Sequence, residues 1–134
     1  MLTERVEDYL EAIYSVHTSK GYVRVKDVAN TLGVQYSSVT EMMKKLKALR
    51  LVHYEKYGGI VLTDKGEEVG RSVKDRHDTL CRLLTIAAVP PDICTKDACA
   101  MEHHLSLRSI EQLKKLVGAL ETDEARGLLG KYLS

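Results

Sequence analysis

The feature that most narrows the fold is a turn. Residues 25 to 32 carry a short helical pattern that stops at Gly33, a residue suited to the left-handed end of a helix. After Gly33-Val34-Gln35-Tyr36, a start at Ser37/Ser38 leads into a second helix to about Leu49. Its apolar positions, Val39, Met42, Met43, Leu46 and Leu49, fall at helical spacing. Two short helices joined by a tight glycine-containing turn make a helix-turn-helix. Two extended runs follow, Leu51 to Glu55 and Ile60 to Thr63. Between them Lys56-Tyr57-Gly58-Gly59 is expected to supply positive-φ positions for a hairpin, the wing.

The flanks read as helices. Val6, Tyr9, Leu10, Ile13 and Val16 mark an amphipathic helix over residues 3 to 18, broken by Gly21. Thr63 is a good N-cap, and Asp64 and Glu67 suit the first turn of a long helix to about Ala87. Its stripe is Val69, Val73, Leu80 and Leu84, with His77 and Cys81 on or beside it. Pro91 opens a short helix expected to reach about Leu105. Ser106 caps another to about Leu120, and Thr122 a last one. The expected fold is mostly α with a small β wing: a winged helix-turn-helix DNA-binding domain over residues 1–71 and a helical domain over 72–134.

Charge is unevenly placed. The chain carries a net +1, yet residues 20 to 65 hold nine Lys/Arg against four acids, a local balance of +5, and the remainder is −4. A basic module joined to an acidic one suggests that one part meets phosphate and the other meets protein or cations. The apolar fraction of 44% suffices for a core in 134 residues. No run approaches the roughly 20 apolar residues of a membrane span, and MLTERVEDYL lacks a signal-peptide pattern, so a cytoplasmic location is expected. Cys81, Cys94 and Cys99 are odd in number and irregularly spaced, which argues against a disulfide framework.

A recognition helix presents its N-terminal residues to base edges in the major groove. Here those are Gln35, Tyr36, Ser37, Ser38 and Thr40, with Glu41 and Lys44 one turn on. Gln pairs with adenine, and the Thr methyl and Tyr ring touch thymine methyls. Lys44, Lys45 and Lys47 are better placed for phosphate, which gives affinity and salt dependence. Lys56 and Tyr57 on the wing are expected at a neighbouring backbone or minor groove.

Cys99-Ala100-Met101-Glu102-His103 places three donors at i, i+3 and i+4, on one face if the segment is helical. Asp8 and Glu11 share a polar edge of the first helix, and His77 occupies a position its stripe would give to an apolar residue. Carboxylate and imidazole suit Mn(II) or Fe(II); a thiolate pulls selectivity toward Fe(II), Co(II) or Zn(II). The competing explanations are a hydrogen-bonded core histidine and a merely wet helix face. Cys81, one turn after His77, is either a further soft ligand or packing.

With these residues in view, the chain resembles the diphtheria-toxin-repressor family, and within it the manganese transport regulator branch. The likeness runs over roughly residues 5 to 125. It is carried by Glu7-Asp8-Tyr9 with Glu11-Ala12-Ile13-Tyr14, Gly21-Tyr22-Val23-Arg24-Val25, Ser37-Ser38-Val39-Thr40, Tyr54-Glu55-Lys56-Tyr57, Leu62-Thr63-Asp64-Lys65-Gly66 and Glu102-His103-His104-Leu105-Ser106. The resemblance implies a homodimer built on the C-terminal helices, and residues 72–134 as a metal-binding and dimerisation domain. It implies the ligand set Asp8, Glu11, His77, Glu102 and His103, with Cys99 where the manganese branch has a Glu. A thiolate there resembles the iron-responsive branch, which has a Met at the position of Asp8. Cys81 stands where relatives often carry a Glu. A Src-homology-3-like third domain, found in some relatives, is not expected.

The expected function is a metal-dependent transcriptional repressor that binds operator DNA as a homodimer when loaded with Mn(II) or Fe(II), and controls metal-uptake genes. No small-molecule substrate and no membrane partner are expected. A metallohydrolase would need a substrate cleft and a general base, for which little chain is left. The main rival is a winged-helix regulator that senses oxidants through its cysteines without metal; a purely structural interaction module is the other.

Overall fold

A computed structural model describes residues 2–55 and 58–133. Their elements are α1 (Glu4–Lys20), α2 (Val25–Leu32), α3 (Tyr36–Ala48), β1 (Val52–Tyr54), β2 (Ile60–Leu62), α4 (Asp64–Ile86), α5 (Pro91–Met101), α6 (Leu107–Leu120) and α7 (Asp123–Leu133). The fold class is the expected one, mostly helical with a small antiparallel pair of strands. Two compact units form, residues 1–74 and 75–134, and α4 runs through the boundary.

In the first unit, Thr3 caps α1 by accepting the Val6 N–H at 3.2 Å, and Val6, Tyr9, Leu10, Ile13 and Val16 are buried as their spacing requires. They share one core with Val28 of α2, Val39, Met43 and Leu46 of α3, and Val52 and Ile60 of the hairpin. Gly33 ends α2 at φ +66, as its position in the turn predicted. The strands pair Val52 with Leu62, His53 with Val61 and Tyr54 with Ile60. Thr63 then caps α4, accepting the Gly66 N–H at 3.1 Å and donating to the Arg50 carbonyl at 2.8 Å.

Two expectations about this unit need correction. The recognition helix starts at Tyr36, with Gln35 as N-cap, so the serines lie inside its first turn and do not cap it. Gly59 is not at positive φ, and Gly58 N–H donates to the Glu55 carbonyl at 2.8 Å. Lys56 and Tyr57 lie outside the described residues.

The second unit packs Leu80, Ala98 and Ile110, with Cys81, Met101, Leu105 and Leu113 against them. Pro91 opens α5, Ser106 caps α6 by accepting the Ser109 N–H at 3.1 Å, and Thr122 accepts the Ala125 N–H at 3.3 Å. Helix α5 ends at Met101, not near Leu105. Glu102 is its C-cap and residues 102–104 form a turn. The three donors from Cys99 to His103 therefore do not share one continuous helical face. Helix α7 buries none of its residues, and Leu128 and Tyr132 stand exposed on it.

Candidate functional site

Glu102 is the centre of the second unit's chemistry. It is fully buried, at 0% exposure. An ionised carboxylate in such a place is costly unless it is paired or bound to a cation. Its backbone is fixed first: the Glu102 N–H donates to the Ala98 carbonyl at 3.0 Å, and Arg76 Nη1 donates to the Glu102 carbonyl at 2.9 Å. Its two oxygens then face two imidazoles. Oε2 is 2.8 Å from His77 Nδ1, and Oε1 is 3.5 Å from His103 Nε2. Cys99, one turn before Glu102, places Sγ 3.7 Å from the same His77 Nδ1.

Donor atoms of His77, Cys99 and Glu102 all lie within 4.8 Å of one another. Donors on a single ion at about 2.0–2.3 Å are at most about 4.6 Å apart, so a shift of a few tenths of an ångström would close this group around one. Glu102 Oε1 is buried without a hydrogen bond. A buried oxygen in that state is what a cation would satisfy. The donors therefore fit a divalent transition metal: one thiolate, imidazole nitrogen and carboxylate oxygen. Cys94 differs in kind. It is buried and its thiol is 3.1 Å from the Val89 carbonyl it donates to, as packing cysteines do.

In the first unit, Asp8 and Glu11 are half-buried on α1. Around the recognition helix, Gln35, Tyr36, Ser37, Glu41, Lys44 and Lys45 are exposed, and Ser38 and Thr40 are half-buried. Tyr36 is 56% exposed, a large ring left in water at the start of the helix. The Thr40 hydroxyl donates to the Tyr36 carbonyl at 3.0 Å, so its methyl, more than its hydroxyl, is offered outward. Lys44 pairs with Glu41 at 3.3 Å. Beside this helix runs a groove of about 850 Å³ whose wall includes Tyr22, Arg24, Lys26, Tyr36 and Thr40.

Residues 1–60 match the family described as iron dependent repressor, N-terminal DNA binding domain, and residues 63–127 match iron dependent repressor, metal binding and dimerisation domain. The HTH-type transcriptional regulator MntR of Bacillus subtilis (strain 168) is 44% identical over 126 residues, 94% of this chain and 89% of that protein. The chain belongs to this family. It is the one whose likeness the sequence carries, in its manganese transport regulator branch. Among solved structures, the manganese regulator SloR superposes with a TM-score of 0.73 at 30% identity, over 87% of this chain and 55% of that one. A manganese-dependent transcriptional repressor in complex with manganese gives 0.75 at 28% identity, over 84% and 52%. The chain thus spans little more than half the length of those two.

Membership in the iron dependent repressor family places the chain among metal-dependent transcriptional regulators and outside the enzymes. It gives the N-terminal part a DNA-binding character and the C-terminal part a metal-binding and dimerising one. It lends no support to a metal-free thiol sensor. Among the described residues, no helix is long and apolar enough to cross a membrane.

Sequence reasoning missed one cluster of this DNA-binding module. Tyr22, 56% exposed, has Lys20 Nζ 4.8 Å from its ring centroid and Arg24 Cζ at 5.8 Å. Asp27 pins the Lys20 cation, accepting Nζ at 2.7 Å, and fixes the backbone at Arg24 by accepting its main-chain N–H at 2.9 Å. The available signal was composition: an aromatic ring flanked by Lys20 and Arg24, just past the glycine that ends α1.

Proposed function

We propose that this protein is a cytoplasmic, divalent-metal-dependent repressor that binds operator DNA as a homodimer and lowers transcription of metal-uptake genes when Mn(II) or Fe(II) is plentiful. The observation that carries the reading is Glu102, a fully buried carboxylate between His77 and His103 with one oxygen lacking a hydrogen bond. His77, Cys99, Glu102 and His103 are the proposed ligands from the second unit, and Asp8 and Glu11 those from the first. Gln35, Tyr36, Ser37, Ser38 and Thr40 are the proposed base readers, with Glu41 one turn on; Lys44 and Lys45 are assigned to phosphate, and Lys56 and Tyr57 to a neighbouring backbone or the minor groove. The exposed Leu128 and Tyr132 of α7 support a dimerising surface in the second unit, because a helix with no buried residue contributes little to the monomer.

The mechanism follows from charge. Asp8, Glu11 and Glu102 repel one another without a cation. Asp8 and Glu11 of α1, together with Glu102, would hold the ion, whose positive charge would offset that repulsion; α1 would then be tied to the dimerising half, narrowing the spread of reading-head positions, which must lie about 34 Å apart to grip two half-sites. Metal and operator then strengthen each other's binding reciprocally. A tenfold gain in DNA affinity needs only about 1.4 kcal/mol of coupling.

The test is a DNA-binding titration with Mn(II), Fe(II), Co(II) and Zn(II), comparing the parent with Cys99→Glu. The parent is expected to require metal. Cys99→Glu is expected to move the order toward Mn(II), because an oxygen donor replaces a soft sulfur. Operator binding that persists undiminished in chelator would refute the proposal, and an unchanged metal order would refute the role given to Cys99.

A further inference from the structure

Cys81 lies on the far side of His77 from the other donors. Its Sγ is 3.4 Å from His77 Nε2, while Cys99 Sγ and Glu102 Oε2 are 3.7 Å and 2.8 Å from Nδ1. The two ring nitrogens are thus claimed from opposite sides. Cys81 is not a member of the donor group formed by His77, Cys99 and Glu102. Its thiol also points at the Cys94 carbonyl, 3.8 Å away, to which it can donate. A thiol that donates to a carbonyl keeps its sulfur lone pairs for another donor, and His77 Nε2 is within reach of them at 3.4 Å.

We propose that Cys81 is a positioning residue for the metal centre: with an ion taking the Nδ1 lone pair, its sulfur would accept the Nε2–H hydrogen of His77 and so hold the ring with Nδ1 on the side of Glu102 and Cys99. A histidine ligand commonly donates its second ring N–H to a partner that fixes tautomer and orientation. Oxygen groups usually fill that role; here the i, i+4 spacing on α4 gives it to a thiol. The helix sets the distance: residues four apart lie one above the other on the same face. The thiol is a weaker acceptor than a carboxylate, so the ring is oriented without a further negative charge beside a centre that already holds Glu102 and Cys99.

This inference rests on the metal centre proposed above, and Co(II) separates the two. Full-length parent, Cys81→Ala, Cys81→Ser and Cys99→Ala are titrated with Co(II) against a chelator, and the near-ultraviolet thiolate-to-Co(II) charge-transfer band is recorded. Cys99→Ala is expected to remove the band. Cys81→Ala is expected to keep it while weakening Co(II) binding about tenfold, the low end of the usual 10–100-fold cost of losing such a partner. Cys81→Ser, whose hydroxyl accepts the same hydrogen, is expected to recover most of that loss. In the Zn(II)-loaded protein, nitrogen-15 correlations should show His77 protonated at Nε2 and bound through Nδ1. Loss of the band in Cys81→Ala would make Cys81 a ligand and overturn the proposal, as would unchanged affinity in that variant or binding through Nε2. A parent that takes up no Co(II) defeats the metal centre itself; a parent that does, matched by Cys81→Ala, defeats only this inference.

Discussion

His77 Nδ1 and Glu102 Oε2 lie 2.8 Å apart across α4 and the end of α5, with side chains 12% and 1% exposed. That closeness makes Glu102 the residue on which metal binding and stability pull in opposite directions. Glu102→Gln keeps the shape and one acceptor oxygen but removes the buried charge. Without a cation, a carboxylate as buried as this one carries a desolvation cost that a neutral amide of the same shape avoids. A ligand binding only the native state stabilises it by RT ln(1 + [L]/Kd), about 2.7 kcal/mol at a hundredfold excess over Kd. Metal-free Glu102→Gln is therefore expected to melt at or above the parent's temperature, while its metal-induced rise in Tm is lost. Thermal melts with and without Mn(II) check this; a variant that keeps the full rise would show that Glu102 is not a ligand.

Glycines on α4 and α7 should respond with opposite signs to the same substitution. A Cβ on Gly70 would sit 2.7 Å from the Leu10 carbonyl oxygen and 2.9 Å from Tyr14 Cβ; on Gly66 it would meet the Leu51 carbonyl oxygen at 2.0 Å. Those neighbours are backbone or fixed to it, and cannot swing aside. Gly→Ala in a helix gains about 0.8–1 kcal/mol in propensity, but overpacking a tight contact costs typically 1–3 kcal/mol, so Gly70→Ala is expected to be a net loss. Gly127 on α7 has nothing within 4 Å of its would-be Cβ. There Gly127→Ala should stabilise by up to about 1 kcal/mol. Urea unfolding of both variants decides it, and a stabilised Gly70→Ala would contradict the close approach of α4 to α1.

What the sequence disclosed and what it hid divide along physical lines. The α1 stripe, the Gly33 turn and the caps at Thr63, Ser106 and Thr122 were legible because each depends on a few neighbours along the chain. The end of α5 was not, since no Gly or Pro stands between Met101 and Leu105 to mark it. Glu102 could be named as a donor from its spacing, but its complete burial between two histidines is a tertiary fact. The side of His77 that Cys81 occupies was equally invisible: i, i+4 spacing gives proximity and says nothing about which ring nitrogen faces the thiol. The cations around Tyr22 escaped because periodicity registers apolar residues and passes over rings that stack in water.

The pin at Asp27 predicts a pH dependence. Its hydrogen bond to Lys20 is the main cause holding its carboxyl below the ordinary 3.8, helped by the Arg24 N–H. A depressed folded-state pKa contributes stability that is present above the unfolded value and disappears as pH falls through the folded one. Asp27→Asn is therefore expected to be less stable than the parent near pH 7, with the gap closing below about pH 4. The pair lies at the surface, so the effect is small and should shrink in high salt. Denaturant curves at pH 7 and pH 3 test it; a gap that widens toward acid would reverse the sign argued here.

The same corner makes a prediction about DNA that separates positioning from reading. Arg24 is exposed beside the groove that holds Tyr36 and Thr40, and its backbone N–H is tied to Asp27. A cation beside a recognition helix is suited to phosphate, which every sequence presents, whereas Gln35 at the helix start is the proposed reader of a base edge. Arg24→Ala should therefore weaken binding to operator and to unrelated duplex alike, and reduce the slope of log K against log salt by about 1, the change expected for one lost phosphate contact. Gln35→Ala should leave that slope unchanged and narrow the ratio between operator and unrelated DNA by about 1–3 kcal/mol. Tyr22→Ala should act like a partial Arg24→Ala, because the ring that steadies both cations is gone while the charges remain. Fluorescence anisotropy at several salt concentrations, with metal saturating, measures all three. An Arg24→Ala variant with the parent's slope would place this corner away from the DNA and leave recognition to α3 and the wing.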